Sequence, residues 1–461
     1  MNLERFIAAL GPGEVVNGPP GGTAEVEIRD LGYDTRTVRP GTLFFCVRGA
    51  SADGHAFAPA AAELGAVALV VDRPLRVHLP QLVVSDVRAA MPVAAVTFFD
   101  DPSRALEVVG VTGTNGKTTT AFLIDAILKQ AGRPAGLLTN IERRVGGESR
   151  PTGLNTPEAI DLQRLLREMV DAGDRAAVLE ATSEAQAQGR LDGTQFAVLV
   201  FTNLTQDHLN FHGTIDAYYE AKAALFAHAE RAVVNVGGEW GRRLAASLPD
   251  AVTFDASSET LEGIELRLQG AFNRENAIGA ALAATAIGID REAIRRGIES
   301  VTGVPGRFET IEAGQPFTVI VDYAHTPDSL EKVIRAARSL GDGRLTVVFG
   351  AGGDRDRGKR PLMGRVVAEL ADRAILTSDN PRSEDPEAIA SEVASGAARR
   401  LEIELDRRTA IELALGAAEP GEVVLIAGRG AEPEQELATG KVPFDDREVA
   451  RAVLERAAAR P

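Results

Sequence analysis

The sequence predicts an α/β protein with a small N-terminal α/β domain, a central domain built on a mostly parallel sheet, and a C-terminal doubly wound, Rossmann-like domain. Its 461 residues are enough for about three domains. Near-continuous apolar runs, typical of buried parallel strands, alternate with helical stretches along the central and C-terminal parts of the chain. Charged residues directly follow several of these runs, as in sheets that bind ligands at the carboxyl ends of their strands.

Two breaks in the apolar pattern divide the chain. The N-terminal region contains strand candidates at 42–47 and 67–71, on either side of a loop and an Ala-rich helix. The segment FFDDPSR follows this region, and GVPGRFE at 303–309 carries a proline–glycine hinge. We therefore predict domains at 1–98, 99–305 and 306–461.

Composition and charge argue against several classes of protein. The formal net charge of −16 argues against nucleic acid and against an anionic membrane surface as partners. Cys46 is the single cysteine, so neither an internal disulfide nor a cysteine-cluster metal site can form. Charges interrupt the N-terminal segment where a signal peptide needs an apolar core, and no apolar run approaches the roughly 18 residues of a membrane span. We expect a monomeric, cytoplasmic protein with no integral membrane association.

The stretch EVVGVTGTNGKTTT at 107–120 predicts a phosphate-binding turn. A β-branched run precedes a loop bracketed by Gly113 and Gly116, and a helical pattern follows. Backbone N–H groups of such a loop point at one locus, Lys117 can reach a terminal phosphate, and the Thr118 hydroxyl can ligate Mg²⁺. The alternative for this stretch is a glycine-rich turn with a solvated lysine.

Acidic and imidazole side chains lie at the ends of two further predicted strands. Glu180 ends the run AVLE, and Asp207 and His208 follow FAVLVFTNL. Mg²⁺ is commonly held by one or two hard protein ligands together with phosphates and waters, so Glu180 and Thr118 are candidate ligands. The alternatives are an ion-pairing or capping Glu180 and a structural His208.

Several motifs together resemble one family. The glycines of the stretch at 107–120 lie at 110, 113 and 116, which departs from the usual P-loop spacing. Its segment GTNGKTT is similar to the variant of the Mur ligases and folylpolyglutamate synthetases, which form amides with ATP. The segments TNLTQDHLNFHGT and AYYEAKAALF also resemble Mur ligases. At least eight such motifs occur in order, nearly from end to end of the chain. The sequence is therefore identified as a member of the Mur ligase family.

This resemblance implies a nucleotide site and a two-metal site. The implied catalytic residues are Lys117, Glu180, His208 and Lys222. Thr118, Glu180 and His208 would bind Mg²⁺, and Lys222, on a helix predicted at about 215–229, would carry a carbamate that supports the second ion. The implied ATP contacts are Gly113, Thr114, Asn115, Gly116, Lys117, Thr118, Thr119, Asn276, Arg307 and Asp322.

The resemblance also implies a UDP-MurNAc-dipeptide site. The segment from Asp34 to Arg36 and its surroundings resemble the family's uridine-nucleotide-binding domain. The implied contacts are Thr35, Arg36, Asn155, Thr156, Ser183, Gln188 and Arg190. The chain departs from the pattern at Glu184, where histidine is usual, and at Gln206 and Asn210, which replace a common Arg and Asp.

The segment DNPR, at 379–382, resembles the one that accompanies meso-2,6-diaminopimelate in this family, so the resemblance implies that this amino acid is added. The planar fork of Arg382 can hold a carboxylate through two parallel hydrogen bonds, and meso-2,6-diaminopimelate, unlike lysine, has a second carboxylate. The alternative is that Arg382 only caps its loop by pairing with Glu384 or Asp385. Arg429 and Ala431 depart from the family's usual GKGHE. The implied amino-acid contacts are Arg355, Asp379, Asn380, Pro381, Arg382, Gly428 and Glu432.

The activity implied by the resemblance is ATP-dependent amide ligation in peptidoglycan precursor synthesis, which serves cell-wall biogenesis, cell shape and cell division. ATP would phosphorylate the D-glutamate γ-carboxylate of UDP-MurNAc-L-Ala-D-Glu, and the amine of meso-2,6-diaminopimelate would attack the acyl phosphate. The alternatives are a lysine-adding relative, another Mur-like amide ligase, or a paralogue that binds nucleotide without catalysis.

Overall fold

The computed structural model describes residues 1–49, 52–150 and 152–458. The chain forms two compact units. The first comprises Met1–Gly110, Arg133–Leu199 and Ala221–Arg231, and the second comprises Val111–Gly132, Val200–Glu220 and Ala232–Pro461.

The N-terminal region of the first unit is built on a five-stranded sheet of order β1-β5-β4-β3-β2, in which only the β1–β5 pair is antiparallel. Its strands are β1 (Glu14–Val16), β2 (Asp30–Gly32), β3 (Thr42–Phe45), β4 (Ala66–Val71) and β5 (Gln81–Val83). Its helices are α1 (Leu3–Leu10), α2 (Ala58–Glu63) and α3 (Val87–Phe99). Both predicted strands of this region are therefore confirmed. The strand predicted at 42–47 is β3, which begins at Thr42, and the strand predicted at 67–71 is β4, which begins at Ala66.

Local side chains set the ends of these helices. Asn2 caps α1 by accepting a hydrogen bond from the backbone N–H of Arg5, and Gly11 ends it in a left-handed conformation at φ +52°. Asp86 caps α3 by accepting from the backbone N–H groups of Arg88 and Ala89. The apolar faces of α1 and α3 pack on one side of the sheet, in a core that includes Leu3 and Phe6 of α1.

The middle region supplies strands to both units. Its strands are β6 (Glu107–Thr112), β7 (Ala135–Leu138), β8 (Arg143–Val145), β9 (Glu148–Arg150), β10 (Ala176–Glu180), β11 (Val198–Phe201), β12 (Ala232–Asn235) and β13 (Val252–Phe254). In the first unit the order is β6-β10-β7-β8-β9, and in the second it is β13-β12-β11. The β7–β10 and β12–β13 pairs are parallel, whereas β7, β8 and β9 form antiparallel hairpins.

Eight α-helices accompany these strands. They are α4 (Lys117–Gln130), α5 (Ala159–Asp171), α6 (Ser183–Ala187), α7 (Leu209–His212), α8 (Ile215–Ala223), α9 (Glu239–Ser247), α10 (Ala271–Ala286) and α11 (Arg291–Ser300). The predicted helix at 215–229 is too long, because the α-helix ends at Ala223 and a 3₁₀ segment, Ala224–His228, follows it.

The C-terminal part of the second unit is a doubly wound sheet of order β14-β15-β19-β16-β17-β18, parallel except for β14. Its strands are β14 (Glu309–Thr310), β15 (Thr318–Asp322), β16 (Leu345–Phe349), β17 (Arg373–Leu376), β18 (Glu402–Ile403) and β19 (Val423–Ala427), followed by a separate hairpin of β20 (Glu434–Leu437) and β21 (Gly440–Pro443). The helices are α12 (Pro327–Arg338), α13 (Lys359–Leu370), α14 (Pro386–Ala394), α15 (Arg407–Gly416) and α16 (Asp446–Ala458).

Alternate residues of these parallel strands enter two separate cores. Ile320, Val347 and Leu425 pack with α12, α13 and α14, whereas Val348 and Ile426 pack with α15 and α16. Because both faces of the sheet are covered, its strands read as continuous apolar runs. The predicted α/β fold class is confirmed. In the part of the chain that the structure describes, no helix combines the length and the apolar character needed to cross a membrane.

Candidate active site

In the second unit, the loop between β6 and α4 has a backbone that requires glycine at two positions. Gly113 has φ +142° and Gly116 has φ +88°, conformations that other L-residues rarely adopt. A Cβ on Gly113 would overlap the Thr202 hydroxyl, and a Cβ on Gly116 would overlap Oδ1 of Asn276. The loop can therefore lie directly against these side chains.

The residues that follow β11 hold this loop in place. The backbone N–H groups of Thr114 and Asn115 donate to the carbonyl and Oδ1 of Asn203, at 2.9 and 3.0 Å. The Thr202 hydroxyl donates to the carbonyl of Asn115 at 2.6 Å. Sequence reasoning missed Thr202 and Asn203, although both lie within the motif TNLTQDH. Their hydrogen bonds order the loop through protein contacts alone.

The predicted nucleotide residues of the second unit lie together. Lys117 Nζ donates to the carbonyls of Gly113 and Thr114, at 3.0 and 2.8 Å, so the amine lies over the loop. Arg307 Nη2 donates to the buried Thr118 hydroxyl at 3.0 Å. Asn276 Nδ2 donates to Asn273 Oδ1 at 3.0 Å, and this bond fixes the Asn276 amide beside Gly116.

Asp322 orders the turn that carries Arg307. Its two carboxylate oxygens accept from the backbone N–H groups of Phe308 and Ala324, each at 2.7 Å. Burial raises the pKa of Asp322, and the charge of Arg307 and the two N–H groups only partly oppose this rise. The Arg307 guanidinium carbon lies 4.3 Å from the centre of the Tyr323 ring, a cation–π contact.

We expect Gly116→Ala to weaken nucleotide binding and to destabilise the protein. A left-handed conformation costs an alanine about 1–2 kcal/mol, and the added Cβ would also displace Asn276. Gly132→Ala is the matched control, because Gly132 has φ +67° with nothing within 4 Å of its Cβ position. Thermal unfolding should show both variants destabilised, Gly116→Ala the more because of Asn276, and ATP titration should show weaker binding only for Gly116→Ala. Equal affinities would contradict this account.

Asp207, after β11, lies in a cationic environment. Its carboxylate is buried and pairs with the buried Lys359 Nζ at 3.1 Å, and Nε2 of His325 and of His208 lie 3.7 and 3.4 Å away. Burial raises the pKa of Asp207, but His325, Lys359 and His208 outweigh burial and hold this pKa well below its ordinary value. Sequence reasoning missed Lys359 and His325, although both stand in charged segments that follow strands. Asp207 therefore remains ionised and orients His208.

In the first unit, Glu180 and Lys222 are both buried, with 2 and 1% of their surface exposed. Glu180 ends β10, where Oε1 accepts from the backbone N–H of Asn140 at 3.3 Å. The described residues contain no group of three or more His, Cys, Asp or Glu side chains arranged to hold a metal ion. The carboxylate of Glu180 is a hard oxygen donor, the kind of ligand that Mg²⁺ prefers when phosphates and water supply most of its other ligands.

The first unit also brings together three of the predicted dipeptide contacts. Arg190 donates from Nη1 to the carbonyl of Thr156 at 3.2 Å and from Nη2 to Gln188 Oε1 at 2.6 Å, and its Nε lies 3.1 Å from Glu158. Ser183 is buried at the start of α6, whereas Asn155 is exposed. Thr35 and Arg36 lie on an exposed 3₁₀ turn, where Arg36 pairs with Asp34.

At the carboxyl ends of β17 and β19, Asn380 is the centre of the predicted amino-acid site. Its Nδ2 donates to Glu432 Oε2 at 2.9 Å, and its Oδ1 accepts from Arg429 Nη1 at 2.5 Å. Asp379 is buried, and its Oδ2, which lies against Gly428, has no hydrogen-bond partner among the described residues. Burial and the charge of Asp379 raise the pKa of Glu432. The site thus holds two neighbouring carboxyl groups.

Arg382, two residues after Asn380, has a backbone φ of +52°. Its Nε donates to Glu436 Oε2 at 2.9 Å and its Nη1 to the carbonyl of Gly353 at 2.6 Å. The expected alternative, a pair with Glu384 or Asp385, is not what the structure shows: Glu384 pairs with the buried Arg360 at 2.7 Å. Arg355 is exposed and donates to the carbonyl of Asp354.

Three family models match the chain. They are the Mur ligase family catalytic domain at residues 27–105, the Mur ligase middle domain at 111–262, and the Mur ligase glutamate ligase domain at 306–430.

Similar proteins cover almost the whole chain. Proteins named UDP-N-acetylmuramoyl-L-alanyl-D-glutamate–2,6-diaminopimelate ligase from Gloeobacter violaceus and Geobacter metallireducens are 44 and 40% identical, over 94 and 98% of this chain and 95 and 98% of their own lengths. A solved structure of a protein of the same name is 32% identical, with a TM-score of 0.65 over 95% of this chain and 97% of that chain. The fold is shared by MurF from Acinetobacter baumannii, which is 20% identical. Its structure has a TM-score of 0.70 over 99% of this chain and 98% of its own. The sequence-based identification is confirmed, and this chain belongs to the Mur ligase family.

Proposed function

We propose that the protein is an ATP-dependent amide ligase of the MurE type, which adds meso-2,6-diaminopimelate to the D-glutamate γ-carboxylate of UDP-MurNAc-L-Ala-D-Glu. The observation that carries this proposal is that Glu436 joins Arg382 to the predicted amino-acid site: its carboxylate accepts from Arg382 Nε, and its backbone N–H donates to Asn380, whose amide contacts Glu432. An arginine fork and two carboxyl groups complement a ligand that has both a distal carboxylate and a distal ammonium group. The names of the relatives agree with this substrate.

A carboxylate is a poor electrophile, so the reaction needs a leaving group. In the first step a carboxylate oxygen bonds to the γ-phosphorus of ATP, and the bond from that phosphorus to the ADP oxygen breaks. In the second step the amine attacks the acyl carbon, inorganic phosphate leaves, and the nitrogen gives up a proton. Lys117 lies over the loop where it can transfer its hydrogen bonds from the carbonyls of Gly113 and Thr114 to the terminal phosphate.

The metal and nucleotide contacts are part of this proposal. From the family resemblance we propose Thr118, Glu180 and His208 as Mg²⁺ ligands, with a carbamate on Lys222 as support for the second ion. Mg²⁺, when bound, neutralises phosphate charge during phosphoryl transfer. The remaining ATP contacts proposed are Gly113, Thr114, Asn115, Gly116, Thr119, Asn276, Arg307 and Asp322.

The wider arrangement is proposed from the family resemblance. Residues 1–98 would bind the uridine nucleotide, 99–305 would bind ATP, and 306–461 would bind the amino acid. The dipeptide contacts would be Thr35, Arg36, Asn155, Thr156, Ser183, Gln188 and Arg190. We propose that the protein acts as a monomer in the cytoplasm and without nucleic acid.

The test of the substrate is Arg382→Ala. Glu436 and Gly353 hold the guanidinium in place, so loss of the side chain removes an oriented, charge-assisted contact to the distal carboxylate. We expect the KM for meso-2,6-diaminopimelate to rise at least about tenfold, the magnitude for hydrogen bonds to charged groups. Ligation of meso-2,6-diaminopimelate and of L-lysine should be measured side by side.

Arg335→Ala is the control, because Arg335 is 63% exposed and pairs with Glu331 on the surface of α12. Its KM values should match those of the unmodified protein. A preference of the unmodified protein for lysine would refute the substrate assignment. Absence of any amino-acid-dependent phosphate release would instead favour the paralogue that binds nucleotide without catalysis.

A further inference from the structure

We propose that Arg429 is a positioning residue that fixes Asn380 and Glu432 so that they can receive the distal ammonium group of the diamino acid. This inference rests on the proposed function. Arg429 follows β19, and its side chain is fully buried.

The guanidinium of Arg429 joins three segments. Nη1 donates to Asn380 Oδ1 at 2.5 Å, and Nη2 donates to the carbonyls of Glu434 and Phe444 at 2.6 and 3.2 Å. The second and third contacts lie at the start of β20 and just after β21. A planar fork can span the strand-end loop and both ends of this hairpin, whereas a lysine ammonium directs its donors from one point.

These contacts determine which way the Asn380 amide points. Its Oδ1 accepts from two donors, Arg429 Nη1 and the backbone N–H of Glu436, the latter at 2.9 Å. Its Nδ2 is thereby directed to Glu432 Oε2, at 2.9 Å. Without Arg429 the amide would lose one of the two donors that set its orientation, and Glu432 would lose the defined position of its partner.

Arg429 also supplies positive charge to Glu432. Its Nη1 lies 3.6 Å from Glu432 Oε2. The other charged or titratable groups that face Glu432 are Asp379, His325 and Arg407. Arg407 is committed elsewhere, because it forms a fully buried pair with Asp446 at 2.6 Å.

The balance of these charges gives a pH signature. Burial and Asp379 raise the pKa of Glu432, while Arg429, Asn380 and His325 oppose the rise. An ammonium ligand needs ionised Glu432, so kcat/KM for the diamino acid falls as the pH drops through the pKa of this carboxyl. Removing Arg429 raises that pKa further, and the acidic limb of the profile moves to higher pH.

The experiment compares Arg429→Gln and Arg429→Lys with the unmodified protein, using meso-2,6-diaminopimelate, ATP and UDP-MurNAc-L-Ala-D-Glu. For Arg429→Gln we expect KM for meso-2,6-diaminopimelate to rise at least about tenfold, the acidic limb of kcat/KM to move to higher pH, and KM for ATP to stay unchanged. Arg429→Lys keeps the positive charge, so the acidic limb of its kcat/KM profile should stay at the same pH. Its KM for meso-2,6-diaminopimelate should still be raised.

Three outcomes decide the question. If the unmodified protein does not ligate meso-2,6-diaminopimelate, the proposed function fails. If it does, and Arg429→Gln lowers kcat with an unmoved pH profile and an unchanged amino-acid KM, Arg429 has only a structural role and this inference is overturned. If Arg429→Gln does not fold, Arg429→Lys decides: a KM equal to that of the unmodified protein overturns the positioning role.

Discussion

Lys117→Ala should lose ATP turnover, with a fall in kcat of at least about a hundredfold, the effect of removing one preorganised donor to developing charge. The amine lies 3.0 and 2.8 Å from the carbonyls of Gly113 and Thr114, so it is already held over the loop where the terminal phosphate would bind. Steady-state phosphate release in the presence of all three substrates measures the loss. Far-UV circular dichroism should show an unchanged secondary structure.

The control for this variant is Lys129→Ala. Lys129 lies in the last turn of the same helix, α4, and is exposed, so its loss removes a charge from the helix but not from the loop. We expect its turnover to match that of the unmodified protein. Phosphate release by Lys117→Ala at the rate of this control would refute the phosphate-loop assignment.

Lys222→Ala should be nearly inactive and should recover part of its activity when a small carboxylic acid is added. Lys222 is 1% exposed, and the proposed function places a carbamate on its amine. A carbamate would replace the positive charge with a negative one, which suits a position that supports a divalent cation. An added carboxylate can occupy the space that the side chain leaves.

Two measurements separate a carbamate from a purely structural lysine. Isotope-labelled bicarbonate should give a carbamate carbon signal by NMR in the unmodified protein and in Lys332→Ala, which changes a lysine that is 45% exposed, but not in Lys222→Ala. Full activity of Lys222→Ala without any added acid would contradict the assignment. Inactivity without rescue and without a carbamate signal in the unmodified protein would show that Lys222 acts as an amine.

Local sequence pattern was sufficient for the elements around the loop. The helical pattern predicted directly after Gly116 is confirmed as α4, which runs from Lys117 to Gln130. The strand that ends at Glu180 was also predicted within a residue. These features depend on β-branched runs, glycine positions and helical periodicity, all of which act between near neighbours. The helix predicted to reach residue 229 was wrong at its end, since boundaries are set by competing hydrogen bonds that the pattern does not record.

Partners that are distant in the chain could not be predicted in this way. Asp207 and Lys359 form an ion pair across 152 positions of sequence, and Arg382 meets Glu436 across 54. Sequence reasoning offered nearby acids for Arg382 because it could judge only local reach. Thr202 and Asn203 were likewise missed as the groups that hold the phosphate loop.

The sequence by itself determined the fold class, the phosphate loop, and the family with its set of candidate residues, because motif order and spacing are properties of the chain. The tertiary structure decided which of these side chains touch, which are buried and which carry charge. It placed Arg429 between Asn380 and Glu432, and it left one carboxylate oxygen of Asp379 without a hydrogen-bond partner among the described residues. The physical reason is that burial and long-range pairing arise only when the strand ends are brought to one edge of a sheet, where desolvation and neighbouring charges act together.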